Sequence, residues 1–290
     1  MHAQNIVNAL TVDVEDYFQV SAFADNIKTS DWDKHESRVA KNTQHLLELF
    51  AVRDYKATFF VLGWVAERYP EIVREIHAQG HEVACHGYSH QLIYNQSPEL
   101  FRQETVKAKT ILEDIIQEKV NGYRAASYSI TKKSLWALDI LVETGFSYDS
   151  SIFPVHHDRY GIPGAEEKPH ILKTPAGYDL VEFPISTKKY FGYQLPVGGG
   201  GYFRIYPYSF SRMALKSINQ QQDQPFIFYL HPWEVDPDQP KINARWLSRF
   251  RHYNNLKKCE HRLKCLLQDF SFAPVSKVLA NLRLLPSSAL

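Results

Sequence analysis

The stretch KATFFVLGWVAERYPEIVREIHAQGHEVACHGYSH, residues 56–90, carries the strongest evidence for a fold class. Residues 56–63 are a β-branched and aromatic run that predicts a strand, and residues 81–86 predict a second one. Between them, residues 65–80 have amphipathic helical spacing that ends at Gly80, where a helix C-cap is expected. A strand, a helix and a strand in succession indicate a parallel sheet with helices outside it.

The same alternation continues on both sides of this stretch. Upstream, residues 8–13 predict a short buried strand and residues 39–53 a helix. Downstream, the pattern predicts helices over residues 97–117 and 131–145 and strands over residues 120–125, 146–151 and 225–231. The sequence therefore predicts an α/β fold, either a barrel or a doubly wound sheet. In both architectures the chemistry gathers at the carboxyl ends of the strands.

The amino-acid composition of the chain changes after residue 155. The chain becomes rich in Pro, Gly and Tyr, with one clear later strand at residues 225–231, which predicts loops and short strands around the same domain. Residues 241–270 contain at least one amphipathic basic helix. We expect this helix to pack on the core with a solvated outer face, and binding of a partner is the alternative.

Composition excludes several classes of protein. With 290 residues, 44% hydrophobic and 22% charged, the chain is typical of a soluble globular protein with a substantial core. A formal charge of +1 argues against nucleic acid or an anionic membrane as the main partner and favours a neutral substrate. The three cysteines have unrelated spacings, which favours a reducing compartment over a disulfide framework.

The location expected from the sequence is the cytoplasm. Two acidic residues precede any apolar stretch of signal-peptide length, and no later run approaches the roughly 20 apolar residues of a membrane span. Membrane association through a biosynthetic complex is the alternative.

Three acids follow one another closely at the end of the first predicted strand: Asp13, Glu15 and Asp16. They could be the N-cap and first-turn acids of a following helix. In an extended chain, however, Asp13 and Glu15 point to the same face and Asp16 points away unless the backbone turns. We therefore expect Asp13 and Glu15 to be the working pair, with Asp16 as the alternative metal ligand.

His86 and His90 lie in the sequence HGYSH, whose spacing suits two imidazoles that share a metal ion. The spacing alone is weak evidence, because in a chain with 13 histidines such a pair could arise by chance, and surface or capping histidines are the alternative. Their place at a strand end, like that of the acids, strengthens the prediction. Two histidines, one carboxylate and an open position are typical of a catalytic metal site.

Further polar residues fall at other predicted strand ends. His231 closes the apolar run FIFYL and precedes Pro232, which stops the strand. A hydrogen-bonded core histidine is the alternative for His231. Arg124 and Asp149 also stand at strand ends, where a salt bridge would be an ordinary explanation for each.

Five segments together give the chain a family resemblance. It resembles the polysaccharide deacetylases of carbohydrate esterase family 4, the chitooligosaccharide deacetylase homology group, over roughly residues 8–235. The matching segments, in order, are TVDVED (11–16), HGYSH (86–90), GYRAAS (122–127), YDSS (148–151) and YLHPW (229–233). Four further segments, TVDVEDYFQV, GGGGYFRIYP, HPWEVDPDQP and RFRHYNNL, resemble the branch associated with exosortase and exopolysaccharide gene clusters.

The resemblance implies a fold, a cofactor and a reaction. The fold would be a distorted (β/α) barrel over residues 1–235, with residues 236–290 as a C-terminal, loop-rich and helical extension packed on it. The cofactor would be a divalent metal ion, usually Zn²⁺. The reaction would be hydrolysis of N-acetyl groups on N-acetylhexosamine units of an oligo- or polysaccharide substrate.

The resemblance also assigns roles to residues at the matching positions. Asp13 would be the general base, His86 and His90 would be metal ligands, and His231 would be the general acid. Arg124 would orient the base, and Asp149 corresponds to the catalytic aspartate of the fourth motif.

Three positions depart from the family pattern. Val14 stands where a second aspartate is common, so the metal carboxylate must be Glu15 or Asp16, and relatives with a D-x-D arrangement support Glu15. Ala126 replaces a usual proline, and Cys85 replaces a common serine. Neither of these two changes removes a reacting group, but both could alter the shape of a loop.

Aromatic residues near the motifs could stack on sugar rings. The candidates are Tyr128, Tyr202, Phe203 and Trp233, and core packing is the alternative for each. A backbone N–H near Tyr128 could help to hold an oxyanion. Hydrolysis of a small non-sugar amide or cyclic ureide is the alternative activity. A carbohydrate-binding or assembly protein without catalysis is the alternative class, and metal content with acetate release would separate the three.

Overall fold

The structure is a computed structural model that describes residues 6–157 and 159–286. Its strands are β1 (Val7–Val14), β2 (Thr58–Val61), β3 (Glu82–Cys85), β4 (Gly122–Tyr123), β5 (Tyr148–Asp149), β6 (His170–Lys173), β7 (Asp179–Glu182), β8 (Thr187–Tyr190), β9 (Tyr193–Pro196), β10 (Ile227–Leu230) and β11 (Ser271–Ala273). Its helices are α1 (Val39–Ala51), α2 (Gly63–Arg68), α3 (Pro70–Ala78), α4 (Pro98–Ile116), α5 (Trp136–Glu143), α6 (Gly200–Ile205), α7 (Tyr208–Gln222), α8 (Trp246–Tyr253), α9 (Leu256–Asp269) and α10 (Val275–Asn281).

The central sheet has the strand order β10-β1-β2-β3-β4-β5-β7-β6, and β11 also pairs with β1. Apart from the antiparallel β6–β7 pair, these strands run parallel. Successive pairings align Val14 with Val61, Cys85, Tyr123 and Asp149 across five strands. The residues that follow each strand therefore meet at one rim of the sheet, as parallel strands require.

Two apolar clusters lie on the two faces of the sheet. Side chains alternate along each strand, so Phe59 and Val61 belong to the larger cluster, which contacts the surrounding helices. Phe60, between them, belongs to a smaller cluster that includes Ala84 and Tyr229 from other strands. The smaller cluster fills the interior of the barrel, as in other closed (β/α) folds.

The barrel closes irregularly between β10 and the segment after β7. Ile227 N donates to Ser186 Oγ at 2.9 Å, and Tyr229 N donates to Gly198 O at 2.8 Å. Gly199 next to this seam has φ +132°, and a Cβ there would lie 2.0 Å from Tyr229 O. Only glycine allows this close approach. The predicted distorted (β/α) barrel is therefore confirmed, and the distortion lies at this seam.

Two details of the predicted elements were wrong. The single helix predicted over residues 65–80 is two helices, α2 and α3, which meet at Tyr69 with φ −130° and ψ 55°. Pro70 is the cause, because proline disfavours helical geometry in the residue before it. After residue 155 the short strands β6, β7, β8, β9 and β11 agree with the predicted loops and short strands, but the helix α7 was not predicted.

The C-terminal part contributes to the central sheet and to the core. β11 pairs in parallel with Val7–Ala9 of β1, and α9 buries Leu256, Leu263 and Leu266. The predicted basic segment thus forms α8 and α9, and α9 packs on the core. The predicted domain boundary at residue 235 stays a prediction. None of the helices in the described ranges is long and apolar enough to cross a membrane.

Candidate active site

Arg124, which directly follows β4, anchors the rim where the strands end. Its guanidinium is fully buried, and its Nη1 donates to Asp13 Oδ1 at 2.6 Å and to Thr11 Oγ1 at 2.8 Å. Its Nε and Nη2 donate to the carbonyl and hydroxyl oxygens of Ser150 at 3.2 and 3.0 Å. These bonds satisfy a buried charge and fix the orientation of the Asp13 carboxylate.

Glu15, His86 and His90 form a compact group beside Asp13. One donor atom from each lies within 4.8 Å of the other two, and all three residues are buried. His86 Nδ1 lies 2.8 Å from the carbonyl oxygen of Arg124. Since a carbonyl accepts, Nδ1 carries the hydrogen and the lone pair on Nε2 is free to bind a metal. Arg124 thus fixes Asp13 with its side chain and His86 with its backbone.

The loop that carries the histidines is held by two neighbouring helices. The first turn of α2 donates from Gly63 N to Gly87 O at 2.8 Å and from Trp64 N to Tyr88 O at 3.1 Å. These donors have no partner inside their own helix, as is usual for a first turn. On the other side, Ser89 Oγ contacts the carboxylate of Glu104 on α4 at 2.6 Å. His90 then takes a left-handed backbone conformation, with φ 53°.

The chemistry of this group fits a divalent metal ion. Glu15 Oε2 lies 2.7 Å from His90 Nε2, and His90 Nδ1 is buried without a hydrogen-bond partner among the described residues. Burial lowers the pKa of His86 to about 4, which keeps its imidazole neutral as a metal ligand requires. One carboxylate oxygen and two imidazole nitrogens form a three-ligand set, which leaves a coordination position open.

Glu15 is ionised in this environment. Burial alone would raise its pKa, but electrostatic interactions with the imidazoles of His90, His231 and His86 and a hydrogen bond with His90 lower the pKa to about 2. A carboxylate that stays ionised among imidazoles is a suitable ligand for a cation.

Asp16 has a different task from Glu15. Its Oδ2 accepts hydrogen bonds from the backbone N–H groups of Arg38 at 2.7 Å and Val39 at 3.0 Å, and from Ser37 Oγ at 2.8 Å. It therefore caps the N-terminus of α1 and lies outside the metal-binding group. The predicted alternative of Asp16 as a metal ligand is not supported, and the helix-cap explanation applies to Asp16 alone.

This difference gives a testable prediction for the two acids. Asp16→Ala should retain the metal but lose about 1–2 kcal/mol of unfolding free energy, because the first-turn N–H groups of α1 lose their acceptor. Glu15→Ala should deplete the metal. Metal analysis and urea unfolding of both variants check this, and metal loss in Asp16→Ala alone would reverse the assignment.

His231 faces the metal-binding group from β10. Its Nε2 lies 3.5 Å from Glu15 Oε1 and 3.9 Å from Asp13 Oδ2, and its side chain is 16% exposed. Burial alone would lower its pKa, but a hydrogen bond to Glu234 and the charges of Glu15, Glu234 and Asp13 raise it to about 9. His231 can therefore hold a proton at the site near neutral pH.

Asp149 is not brought into this site. Its carboxylate accepts hydrogen bonds from Ser151 Oγ at 2.6 Å and Ser151 N at 3.2 Å, and it pairs with Glu182. Burial raises the pKa of Glu182 well above its usual range, so Glu182 is the protonated partner. Neighbouring residues of a strand point to opposite faces, so Ser150 rather than Asp149 meets Arg124. This geometry does not support the predicted catalytic role of Asp149.

A cleft of about 420 Å³ opens beside Glu15 and His231. Tyr202 lines it, with its hydroxyl 3.3 Å from that of Tyr160. Of the four aromatic residues proposed to stack on sugars, Tyr202 is the one with a half-buried side chain; the others are nearly inaccessible. A second cleft of about 320 Å³ lies on the His90 side.

The other three aromatic residues are packed inside. Phe203 is 3% exposed and meets the ring of Phe228 at 4.8 Å, because its position on α6 faces β10. Trp233 touches the cleft but lies stacked between His231 and His252, at centroid distances of 5.0 and 4.1 Å. The side chain of Phe203 is therefore a core residue, and most of the Trp233 ring is covered by its packing against His231 and His252.

Tyr128 is also buried, and its backbone N–H is occupied. This N–H donates to Ala125 O at 3.0 Å, so it does not serve the predicted oxyanion site in this conformation. The Tyr128 hydroxyl, in contrast, is buried without a hydrogen-bond partner among the described residues.

Two contacting residues, Arg204 and Glu234, were not predicted as part of the site. Glu234 Oε1 lies 2.7 Å from His231 Nδ1, and Glu234 Oε2 accepts from Arg204 Nε at 2.5 Å. Glu234 stands three residues after His231 in HPWE, a spacing that brings side chains together in a helical turn. This spacing could have predicted the contact between Glu234 and His231. Arg204 lies thirty positions before Glu234 in the chain, and no sequence pattern predicts its contact with Glu234.

Two family models match the chain. Residues 29–147 match the polysaccharide deacetylase family, and residues 150–280 match a domain of unknown function, DUF3473. The chain is similar to a peptidoglycan-N-acetylglucosamine deacetylase of Bacillus cereus, with 26% identity over 151 residues that make up 47% of this chain and 52% of that protein. Matches to the first three curated relatives span between 37% and 52% of their lengths.

Two solved structures share the fold. A Mycobacterium smegmatis protein assigned as a polysaccharide deacetylase superposes with a TM-score of 0.64 at 20% identity, covering 97% of this chain and 91% of that one. The PuuE allantoinase superposes with a TM-score of 0.60 at 14% identity, covering 95% and 89%. The relation to the exopolysaccharide-associated branch stays a prediction. The N-terminal part of the chain, residues 29–147, is therefore similar to the polysaccharide deacetylase family, and residues 150–280 are similar to a domain of unknown function.

Proposed function

We propose that this protein is a metal-dependent hydrolase that removes N-acetyl groups from N-acetylhexosamine units of an oligo- or polysaccharide. The observation that carries the proposal is the convergence of three groups on one point: the carboxylate of Asp13, the metal-binding group and the imidazole of His231. The name of the Bacillus cereus relative, a peptidoglycan-N-acetylglucosamine deacetylase, supports this class of substrate.

Zinc is the metal ion that we propose for the group formed by Glu15, His86 and His90. Two imidazoles and one carboxylate suit Zn²⁺, and three protein ligands with an open position are usual for catalytic zinc. When bound, such an ion supplies Lewis acidity, which polarises a carbonyl and makes water more acidic. The ionised Glu15 and the neutral His86 are in the states that binding needs.

Asp13 and His231 then divide the proton transfers between them. Asp13, fixed by Arg124, accepts the proton of the water that attacks the acetamide carbon. His231 gives its Nε2 proton to the nitrogen as the C–N bond breaks and the bonding pair moves to nitrogen. The carbon fragment leaves as acetic acid, which passes its proton to the amine or to solvent, so the final products are acetate and the protonated amine. The proton that Asp13 took from water then passes to His231 through solvent, which restores both residues.

The shape of the site favours a sugar oligomer over a small amide. The two clefts lie on either side of the metal-binding group and share Val20, Ser21 and Leu92 in their linings. Sugar units on both sides of the reacting residue would fit this arrangement, whereas a small amide or cyclic ureide needs one enclosed pocket.

Acetate release provides the test. Zinc-loaded protein should release acetate from an N-acetylglucosamine pentamer, and protein stripped with a chelator should not until zinc is restored. Allantoin and a short aliphatic amide serve as the competing substrates. Hydrolysis of these two with no acetate from the pentamer would overturn the sugar assignment, and no hydrolysis with zinc bound would indicate a protein without catalysis.

A further inference from the structure

The carboxylate of Glu234 joins His231 to a buried guanidinium. Glu234 is 1% exposed, and its Oε1 accepts from the backbone N–H of His231 at 3.1 Å and lies 2.7 Å from the ring Nδ1. Its Oε2 accepts from Arg204 Nε at 2.5 Å. Both oxygens are therefore used, and the carboxylate cannot rotate without breaking one of these contacts.

Arg204 is itself locked in place. It is 1% exposed, its Nη1 donates to His252 O at 2.7 Å and Asn254 O at 2.9 Å, and its Nη2 donates to Arg251 O at 3.0 Å. These carbonyls belong to the end of α8 and the residues after it, so a distant part of the chain fixes the guanidinium. The rigid fork of arginine transmits that position to the carboxylate.

The opposite edge of the imidazole faces the reacting groups. With Glu234 as an acceptor at Nδ1, the ring keeps its Nδ1 hydrogen both before and after Nε2 gives up its proton, and Nε2 points towards Glu15 and Asp13. The ring is also stacked on Trp233, at 5.0 Å and 20° between planes. Asp149, the acid that the family resemblance suggested for this region, is occupied by Ser151 and Glu182 instead.

We propose that Glu234 is a positioning residue that, held by Arg204, fixes the tautomer and orientation of His231. This inference rests on the proposed function for its catalytic meaning. It also suggests a role for the part of the chain that matches the domain of unknown function. The matched residues 150–280 include Arg204, His231 and Glu234. That part of the chain supplies the proton-donating half of the site, and the N-terminal part supplies the base and the metal ligands.

Glu234→Gln is the informative substitution, because it keeps size but changes the pattern of donors. Arg204 has only donors, so the glutamine oxygen should turn to Arg204 and its NH₂ group should face His231. Nδ1 would then have to accept, and the ring hydrogen would move to Nε2. We expect kcat for the N-acetylglucosamine pentamer to fall by about 10²-fold, with KM and zinc content nearly unchanged. Glu234→Asp should recover part of the loss.

A spectroscopic signature separates positioning from a merely structural role. In zinc-loaded protein with ¹⁵N-labelled histidine, the His231 Nδ1 signal, identified by its absence in His231→Ala, should be that of a protonated nitrogen. In Glu234→Gln it should become that of a nonprotonated nitrogen. Glu260→Gln is the matched control, because Glu260 makes the same kind of contact with His45, at 3.0 Å, on the surface. It should change neither kcat nor the His231 signal.

Two results would overturn the proposal: a nonprotonated Nδ1 in the unmodified protein, or a Glu234→Gln variant that folds and keeps both its kcat and its Nδ1 signal. The first measurement does not use Glu234→Gln, so it decides even if that variant does not fold. The NMR experiment also needs no substrate. A protein that releases no acetate but keeps a protonated Nδ1 would refute the proposed function and leave the positioning of His231 supported.

Discussion

His90→Ala is expected to lose the bound metal and almost all deacetylase activity while the chain stays folded. Only three side chains make up the metal-binding group, and a site left with Glu15 and His86 alone should hold zinc weakly. Metal ions supply several kcal/mol of transition-state stabilisation, which corresponds to about 10³-fold or more in rate. The fold should persist because the polar contact that the His90 side chain loses, with Glu15 Oε2, lies inside the metal-binding group, and its buried Nδ1 has no hydrogen-bond partner among the described residues.

The measurement is the metal content of purified protein, followed by acetate release with zinc added in excess. His45→Ala is the matched control, since His45 also contacts a glutamate, Glu260, but lies on the surface. It should keep one ion per chain and full activity. One ion per chain in His90→Ala, with thermal unfolding unchanged in both variants, would contradict the assignment of the metal site.

The rim of the barrel could be predicted from sequence because its residues follow strands that are easy to recognise. Apolar and β-branched runs predicted β1, β2, β3 and β10, and parallel strands bring their carboxyl ends together. Four of the site residues lie at or next to such an end: Asp13, His86, Arg124 and His231. Their proximity could therefore be predicted from their positions relative to the strands along the chain. The choice of Glu15 over Asp16 followed in the same way from the alternation of side chains in an extended segment.

Other features depend on contacts that local patterns do not encode. The hairpins β6–β7 and β8–β9 contain charged and polar residues, such as Lys173, Asp179 and Lys188, so they lack the apolar signal of buried strands. Phe203 and Trp233 were candidates for sugar stacking with core packing as the alternative, and tertiary packing buries both. Sequence alone gives no measure of that packing.

The contacts of Asp149 show that a motif match does not determine the partners of a side chain. The YDSS segment aligns with a family motif, but the pleat of β5 turns Ser150 towards Arg124 and Asp149 away from it. The carboxylate that contacts His231 comes instead from Glu234, and the guanidinium that holds it comes from Arg204. A motif match fixes the residue type at a position, whereas its partner depends on the whole fold.

Asp13→Asn should separate the base from the metal ligands. Asparagine keeps the shape and can still accept from Arg124 Nη1, but it cannot accept the proton of water. We expect zinc to stay bound while turnover of the pentamer falls by about 10²–10⁴-fold. Some loss of stability is also expected, because the buried Arg124 loses its counter-charge. A thermal unfolding curve shows whether the variant is folded at the assay temperature.

His231→Ala should fail at a different step, and the choice of substrate reveals which. An aryl acetate ester has a leaving group that needs no proton, so its hydrolysis requires the base but not the acid. The ester should therefore recover far more activity in His231→Ala than in Asp13→Asn, although both variants keep zinc and both are slow on the amide. The ratio of amide to ester turnover is the quantity to measure. If His231→Ala lost equal factors on both substrates, His231 would not protonate the leaving amine, and its place 3.5 Å from Glu15 Oε1 would have to serve oxyanion stabilisation or the structure of the site.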